Sequence, residues 1–359
     1  MQMPVLRKLL YFCAVIVFCL LATELLARWK FGHVPYFSKR DVFWKVAFER
    51  FVNSNVTFAP GGRSYSPKFG WTLSPNATTT DTQPEYKYTI HTNSLGFRAR
   101  EVAPRAPNEY RLLLLGDSML FGVGVDEDRT IAACVEQIAQ REAPARRVTV
   151  YDYSVPGYNT VQALQAGRAF ACQASPNQIV LGVFITNDLL PNVMVYADPQ
   201  GLLATDSVRV RQVEQHLRER VSILDRATFT RILALAAYVP RLRYQFSSEP
   251  DIIGHTYSLL TQCADLARSC NATLSVVVVY PRQAVAGGLV GTWSESRKPG
   301  QMIVAWCRRE RIPVLDLLDV MDGEAEAKSF FFPHDGHFTA QGNARVARAV
   351  FDSLVAPAL

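Results

Sequence analysis

The chain has 359 residues, of which 49% are hydrophobic and 19% are charged, and its formal net charge is +6. This composition excludes a disordered or collagen-like chain and supplies enough apolar residues to bury a core. The 38 basic residues form no stripe or long block, which argues against a nucleic acid as partner.

The first predicted element is an apolar helix near the N-terminus. Residues 9–27 read LLYFCAVIVFCLLATELLA, with basic residues on both sides. As a helix this stretch spans about 28 Å, close to the hydrocarbon thickness of a bilayer. Residues 1–30 are therefore predicted to form a single transmembrane helix that anchors a periplasmic or extracellular domain. A cleaved signal peptide is the alternative.

Residues 31–108 form a lead-in rich in Pro, Gly, Ser and Thr. The stretches TFAPGGRSYSP and LSPNATTTDTQP are typical of loops, so little regular structure is expected there. One alternating stretch, residues 86–91, predicts a short strand, and a turn should follow at residues 93–96.

From residue 109 onward, short apolar runs alternate with segments of helical spacing. The runs RLLLLGDS, RRVTVYDYSV, NQIVLGVFITND, ATLSVVVVYP and IPVLDLLDV predict buried strands. Helical spacing occurs at residues 130–140, 161–171, 256–268 and 301–309. This alternation predicts an α/β domain over residues 109–359, with a central parallel sheet of about five strands covered on both faces.

Residues 189–250 interrupt the alternation with an arginine-rich stretch. We predict an insertion of one or two helices. Its apolar positions fit an amphipathic helix that packs on the core. A lid over the site, or a cover that faces the membrane, is the alternative.

The cysteines show no metal-binding or redox motif. Cys13 and Cys19 lie in the anchor, and no C-x-x-C spacing occurs among the rest, which are Cys134, Cys172, Cys263, Cys270 and Cys307. We therefore predict no metal and no cofactor. Isolated buried thiols are expected, and a Cys263–Cys270 bridge in an oxidising compartment is the alternative.

A serine follows directly on the first predicted strand of the domain. Gly116, Asp117 and Ser118 place this serine at the carboxyl edge of the sheet, where open parallel sheets bind their ligands. A serine at a strand-to-helix turn is exposed, and its backbone N–H is available to a developing oxyanion. Ser118 is therefore a candidate nucleophile. The alternative is a simple turn with an Asp or Ser helix cap, which would have the same sequence.

Two further strand ends carry candidate oxyanion donors. Gly157 follows the second strand and Asn187 the third. Together with the N–H of Ser118, the N–H of Gly157 and the Nδ2 of Asn187 would form an oxyanion hole. Taken singly, they are a turn glycine and a helix cap.

The loop PHDGHFTAQGN lies between the last strand and the final helix, which Thr339 is predicted to cap. His337 reaches Ser118 if this loop lies on the same edge of the sheet. Asp335 stands two residues earlier, so in an extended stretch both side chains emerge on one side. Its carboxylate would then orient the imidazole that accepts the Ser118 proton.

These four motifs, in this order and at these strand ends, resemble the SGNH (GDSL-type) hydrolase family from about residue 93 to residue 350. NSLGFR at residues 93–98 also resembles a lead-in of membrane-anchored bacterial members. The resemblance implies a flavodoxin-like three-layer α/β/α domain and ester hydrolysis or acyl transfer without a metal. It makes Ser118 the nucleophile, Gly157 and Asn187 the oxyanion donors and His337 the base.

One departure from the family concerns the acid. The family more often has Asp three residues before the His, where this chain has His334. Asp335 is therefore the first candidate to orient His337, and Asp316 and Asp319 on the last strand are the fallbacks.

Three functions follow as hypotheses. The first is an esterase that removes acyl groups, expected to be acetyl, from an extracytoplasmic glycan, lipid or small ester. The second is an O-acyltransferase that uses the same residues on a surface polysaccharide. The third is an inactive anchored binding or scaffold domain among polysaccharide-assembly partners, against which the intact Ser118, Asn187 and His337 argue.

Overall fold

The computed structural model describes residues 5–31, 63–206, 208–209, 211–212, 244, 247–286, 295–323 and 326–359. Helix α1 (Val5–Phe31) covers the predicted anchor. Several of its large apolar side chains are exposed, among them Phe12 and Phe18. Within these ranges, no helix combines the length and the apolar character that a membrane crossing requires.

The lead-in contains two antiparallel hairpins where mostly loops were predicted. They are β1 (Arg63–Ser66) with β2 (Gly70–Leu73), and β3 (Thr78–Gln83) with β4 (Tyr86–His91). The strand at residues 86–91 is confirmed, whereas the loop prediction is wrong for β1 and β3. Strand β3 escaped detection because its Thr-rich sequence is largely exposed, although β-branched threonine favours a strand.

The remaining elements alternate along the chain as the sequence predicts. They are β5 (Glu109–Leu115), α2 (Ser118–Phe121), α3 (Ile131–Glu142), β6 (Arg147–Asp152), α4 (Thr160–Phe170), β7 (Gln178–Phe184), α5 (Leu189–Met194), β8 (Val195–Ala197), β9 (Leu203–Thr205), α6 (Pro250–Ser269), β10 (Thr273–Val279), α7 (Arg282–Ala286), α8 (Lys298–Arg309), β11 (Val314–Asp316), α9 (Leu317–Met321) and α10 (Ala340–Val350). Five of the strands form one parallel sheet in the order β11-β10-β7-β5-β6. The α/β class and the five-stranded parallel sheet are therefore confirmed.

The helices cover both faces of this sheet. Strand β6 lies on one side of β5 in the sheet and β7 on the other, so the winding direction reverses between the first crossover and the second. Because such crossovers are right-handed, α3 lies on one face, with α10 packed beside it, and α4, α6 and α8 lie on the other. The strand order is that of a flavodoxin-like fold, whose ligand crevice opens at the carboxyl ends of the two strands where the winding reverses, here β5 and β7.

The insertion at residues 189–250 begins with helix α5 and the hairpin β8–β9. The hairpin contacts the lead-in, where the N–H of Leu203 donates to the carbonyl of Pro67 at 2.9 Å. A helix was predicted in this insertion and α5 is one, whereas the β8–β9 hairpin was not predicted. Residues 213–243 of the insertion lie outside the described residues.

The cysteines differ from the prediction in one pair. A disulfide joins Cys172, just after α4, to Cys270, just after α6, with the two Cα atoms 4.8 Å apart. Cys263 and Cys270 lie seven residues apart along the end of one helix, or about 10 Å, which is beyond the reach of a disulfide. Cys134, Cys263 and Cys307 are buried thiols, as predicted.

Loss of this disulfide should destabilise the domain. It joins residues 98 positions apart, so it restricts the unfolded chain strongly. We expect Cys172→Ser to lower the free energy of unfolding by about 2–4 kcal/mol, measured by urea denaturation. Cys13→Ser changes an exposed thiol of α1 and is the control. An unchanged urea midpoint after reduction of the wild type would contradict the bond.

Candidate active site

The nucleophile turn joins β5 to α2. Asp117 caps this helix, since its Oδ1 accepts the N–H of Met119 at 2.9 Å, and Ser118 is the first helical residue. Helix α2 packs closely on the sheet because β7 has a glycine there. A Cβ at Gly182 would lie 2.5 Å from Cδ1 of Leu120. The turn thus holds Ser118 at the carboxyl edge of the sheet.

A tight loop before α10 carries the predicted base and acid. Phe331 and Phe338 pair across it, and the N–H of Phe332 donates to the carbonyl of His337 at 2.8 Å. Thr339 caps α10 as predicted, because its side chain accepts the N–H of Gly342 at 3.2 Å. We call residues 332–337 the catalytic loop.

Ser118, His337 and Asp335 meet at this edge. The Nε2 of His337 lies 2.8 Å from the Oγ of Ser118, and its Nδ1 contacts the Oδ1 of Asp335. Ser118 is 7% exposed, and the side chains of His337 and Asp335 are 22% and 29% exposed. An alcohol, an imidazole and a carboxylate in this order have the geometry of a catalytic triad.

The carboxylate of Asp335 is stabilised in its ionised form. Burial acts to raise its pKa, but hydrogen bonds and charge from His337, with a hydrogen bond from Tyr86, hold this pKa below its usual range. An ionised Asp335 can therefore orient the imidazole and stabilise the imidazolium at neutral pH.

The fallback acids are engaged elsewhere. Asp316 caps α9, where its Oδ1 accepts the N–H of Leu318 at 3.0 Å. Asp319 forms an ion pair with Arg308 at 3.6 Å. The structure thus brings Asp335, rather than either of these, to His337.

The three predicted oxyanion donors lie at neighbouring strand ends. Beyond β6, the N–H of Val155 donates to the carbonyl of Gly116 at 3.1 Å, and Gly157 follows with a φ of 88°. Asn187, beyond β7, donates from Nδ2 to the Oδ2 of Asp117 at 2.9 Å. An amide nitrogen has two hydrogens, so the second remains available to a ligand.

Two buried carboxyls, Asp117 and Asp188, support this edge, and neither was predicted from the sequence to take part in the site. Burial raises the pKa of Asp117 to about 6, against hydrogen bonds from Met119 and Asn187 and the charge of His337. Burial and the charge of Asp117 raise the pKa of Asp188 well above its usual range. Asp117 orients the Asn187 amide. Both acids are next to a predicted site residue in the sequence, and this adjacency could have indicated that they belong to the site.

Two lead-in residues also contact the site, and no sequence pattern predicted these contacts. Trp71 donates from Nε1 to the carbonyl of Pro156 at 3.2 Å, next to Gly157. Tyr86 donates from its hydroxyl to the Oδ2 of Asp335 at 3.1 Å, across 249 residues of sequence. Contacts between such distant positions leave no local pattern in the chain.

Among the described residues, no group of three or more His, Cys, Asp or Glu side chains is placed to hold a metal ion.

Comparison with known proteins gave one family match and several structural neighbours. The model of the GDSL-like lipase/acylhydrolase family matches residues 114–345. A search of curated proteins returned no significant match.

The structural neighbours share little sequence with this chain. A lipase/acylhydrolase from Enterococcus faecalis is 11% identical, with 69% of this chain and 96% of the other covered and a TM-score of 0.41. The esterase EstA from Pseudoalteromonas sp. is 12% identical, with 68% and 96% covered and a TM-score of 0.39. The lipase Lip_vut3 from a goat rumen metagenome is 11% identical, with 68% and 98% covered and a TM-score of 0.44.

Proposed function

Since the chain belongs to the GDSL-like lipase/acylhydrolase family, we propose that it is a serine ester hydrolase with Ser118 as nucleophile. One observation carries the assignment of residues. The Nε2 of His337 lies 2.8 Å from the Oγ of Ser118, while the other ring nitrogen contacts Asp335. A hydroxyl and a base within hydrogen-bond reach, with the base oriented by a third group, are the mark of an activated nucleophile.

The reaction proceeds in two halves. His337 accepts the Ser118 proton as Oγ bonds to the ester carbonyl carbon, and the oxyanion takes hydrogen bonds from Ser118 N–H, Gly157 N–H and Asn187 Nδ2. The C–O bond breaks, and the alcohol leaves with the proton from His337. Water then gives a proton to His337 as its oxygen bonds to the acyl carbon. The bond from that carbon to the Ser118 Oγ breaks, His337 returns the proton to Oγ, and the carboxylic acid departs.

Active-site labelling tests this proposal. The full-length protein should take one fluorophosphonate label, located at Ser118 by peptide mass spectrometry, and should hydrolyse p-nitrophenyl acetate. Prior labelling should abolish that hydrolysis, because both reactions need the Ser118 oxygen. Folded protein that hydrolyses no ester and takes no label would overturn the proposal.

We further propose that the natural ester lies outside the cytoplasm, with acetylated glycans, lipids or small esters as the substrate class. The Cys172–Cys270 disulfide supports this location, because such bonds persist in oxidising compartments. When cells of the host are lysed directly into a thiol-alkylating reagent, Cys172 and Cys270 should remain unmodified. Alkylation of both would contradict the location. Attachment of α1 to a membrane stays a prediction, which carbonate extraction of membranes would test.

A further inference from the structure

The turn between β3 and β4 contacts the catalytic loop. Glu85 accepts the N–H of His334 at 3.0 Å and the N–H of Asp335 at 2.7 Å. Tyr86 donates its hydroxyl to the Oδ2 of Asp335 at 3.1 Å. Two consecutive lead-in residues thus bind both the backbone and the side chain of the residue that faces His337.

The contact with Tyr86 fixes the carboxylate itself. His337 occupies the Oδ1 of Asp335 and Tyr86 occupies the Oδ2. With a partner on each oxygen, the carboxylate plane cannot rotate without breaking a hydrogen bond to a charged group, and such bonds are stronger than those between neutral groups. The orientation of the imidazole therefore depends on a residue outside the loop.

Packing holds the Tyr86 ring in place. Its centroid lies 4.9 Å from that of Phe332, at the start of the catalytic loop. Gly124 closes over both rings, since a Cβ there would lie 2.6 Å from Cε2 of Phe332 and 3.0 Å from Cδ1 of Tyr86. The hydroxyl position is thus set by ring packing as well as by its hydrogen bond.

The hairpin is also tied to the nucleophile helix. The guanidinium of Arg98 donates to the carbonyl of Thr89 in β4 at 3.3 Å and to that of Phe121, the last residue of α2, at 3.2 Å. Arg98 is itself buried. One side chain therefore connects the hairpin to the element that begins with Ser118.

The phenol remains a donor throughout the working pH range. Burial, followed by the charge of Asp335 and their hydrogen bond, raises the pKa of Tyr86 far above its usual value. The charged or titratable groups near Asp335 include His337, Glu85 and the neighbouring His334, which is exposed. Beyond Pro333 lies Arg282, whose guanidinium donates to the Pro333 carbonyl at 3.1 Å. The hydroxyl that donates to the Oδ2 is that of Tyr86.

We propose that Tyr86 is a positioning residue for the proposed ester hydrolysis, which it serves by holding the Asp335 carboxylate against His337. Glu85 fixes the backbone of the same acid. The inference rests on the proposed function, and it makes the β3–β4 hairpin, which precedes the family match at residues 114–345, part of the active site.

Tyr86→Phe isolates the hydroxyl because the ring that packs on Phe332 is kept. We expect kcat for p-nitrophenyl acetate to fall about 10-fold or more with KM nearly unchanged. A carboxylate that has lost one donor holds a proton on the Asp335–His337 pair more tightly. The acidic limb of the pH profile should therefore move to higher pH. The matched control is Tyr257→Phe, which removes a hydroxyl that donates to the Met302 carbonyl at 3.2 Å.

Two further measurements complete the test. Glu85→Gln keeps the side-chain shape but removes the charge, and should lower kcat less than Tyr86→Phe does.

The downfield proton resonance of the His337–Asp335 hydrogen bond should shift in Tyr86→Phe and stay in place in Tyr257→Phe. This readout needs no turnover, so it tests the positioning role even if the wild type hydrolyses no ester, which would count against the proposed function alone. An unchanged resonance, or kcat and pH profile equal to those of Tyr257→Phe, would overturn the role of Tyr86.

Discussion

Alanine at Ser118 or at His337 is expected to lower kcat for p-nitrophenyl acetate by roughly 10⁴- to 10⁶-fold, and the double variant should be no slower than either single one. The two residues act through one proton transfer over the 2.8 Å between Oγ and Nε2. Once either group is lost, the other has nothing to activate. The remaining rate then comes from the oxyanion donors and from substrate binding, which the single and double variants share.

Steady-state kinetics on the three variants check this non-additivity, and the fluorophosphonate label should disappear from the Ser118→Ala protein. Ser329→Ala is the matched control, because the Ser329 hydroxyl is exposed and donates to the Glu326 carbonyl at 2.7 Å, away from the triad. If losses from the two single variants multiplied in the double variant, Ser118 and His337 would act independently and the shared proton transfer would be excluded.

Much of the site could be predicted because the carboxyl ends of the strands in a parallel sheet lie along one edge. Ser118, Gly157 and Asn187 each follow directly on an apolar run, and all such ends meet on one edge. Asp335 and His337 lie just before a helix that Thr339 caps, and the sequence PHDGHFTAQGN predicts both the loop and the cap. Local sequence was sufficient to predict a site residue wherever its position at the end of one strand or before one helix places its side chain.

The contacts that could not be predicted join positions far apart in the chain. Tyr86 and Asp335 are separated by 249 residues and form no motif. Strand β3 was hidden because an exposed edge needs no apolar residues. The disulfide partner of Cys270 depends on where the turn after α4 meets the end of α6, which tertiary packing decides.

The lead-in contacts two loops of the site, although it lies before the part of the chain that the family model matches. Trp71 donates to the carbonyl of Pro156, next to Gly157, which is a proposed oxyanion donor. The hydroxyl of Tyr158 donates in turn to the Trp71 carbonyl at 2.6 Å. Tyr86 binds the acid of the catalytic loop. The two hairpins therefore support the oxyanion side and the base side of the same edge.

Asp335→Asn should lower kcat by about 10³- to 10⁴-fold while leaving KM and the fold nearly unchanged. The amide keeps the size of the carboxylate, but it is neutral and can offer its N–H₂ to Nδ1, which favours the wrong tautomer of His337. The imidazolium formed during attack then lacks its counter-charge. Because the pKa of Asp335 is held below its usual range, the wild type keeps this counter-charge at neutral and mildly acidic pH.

The matched control for this variant is Asp316→Asn, in which the fallback acid loses its charge. Asp316 caps α9 through the N–H of Leu318, and an asparagine side chain can accept the same hydrogen bond. We therefore expect near wild-type kcat for Asp316→Asn, measured beside Asp335→Asn at the same pH. The reverse ranking would assign the orienting role to the last strand. The contact between Asp335 and His337 would then be a feature of the loop rather than of the chemistry, and Tyr86 would lose its proposed role at the same time.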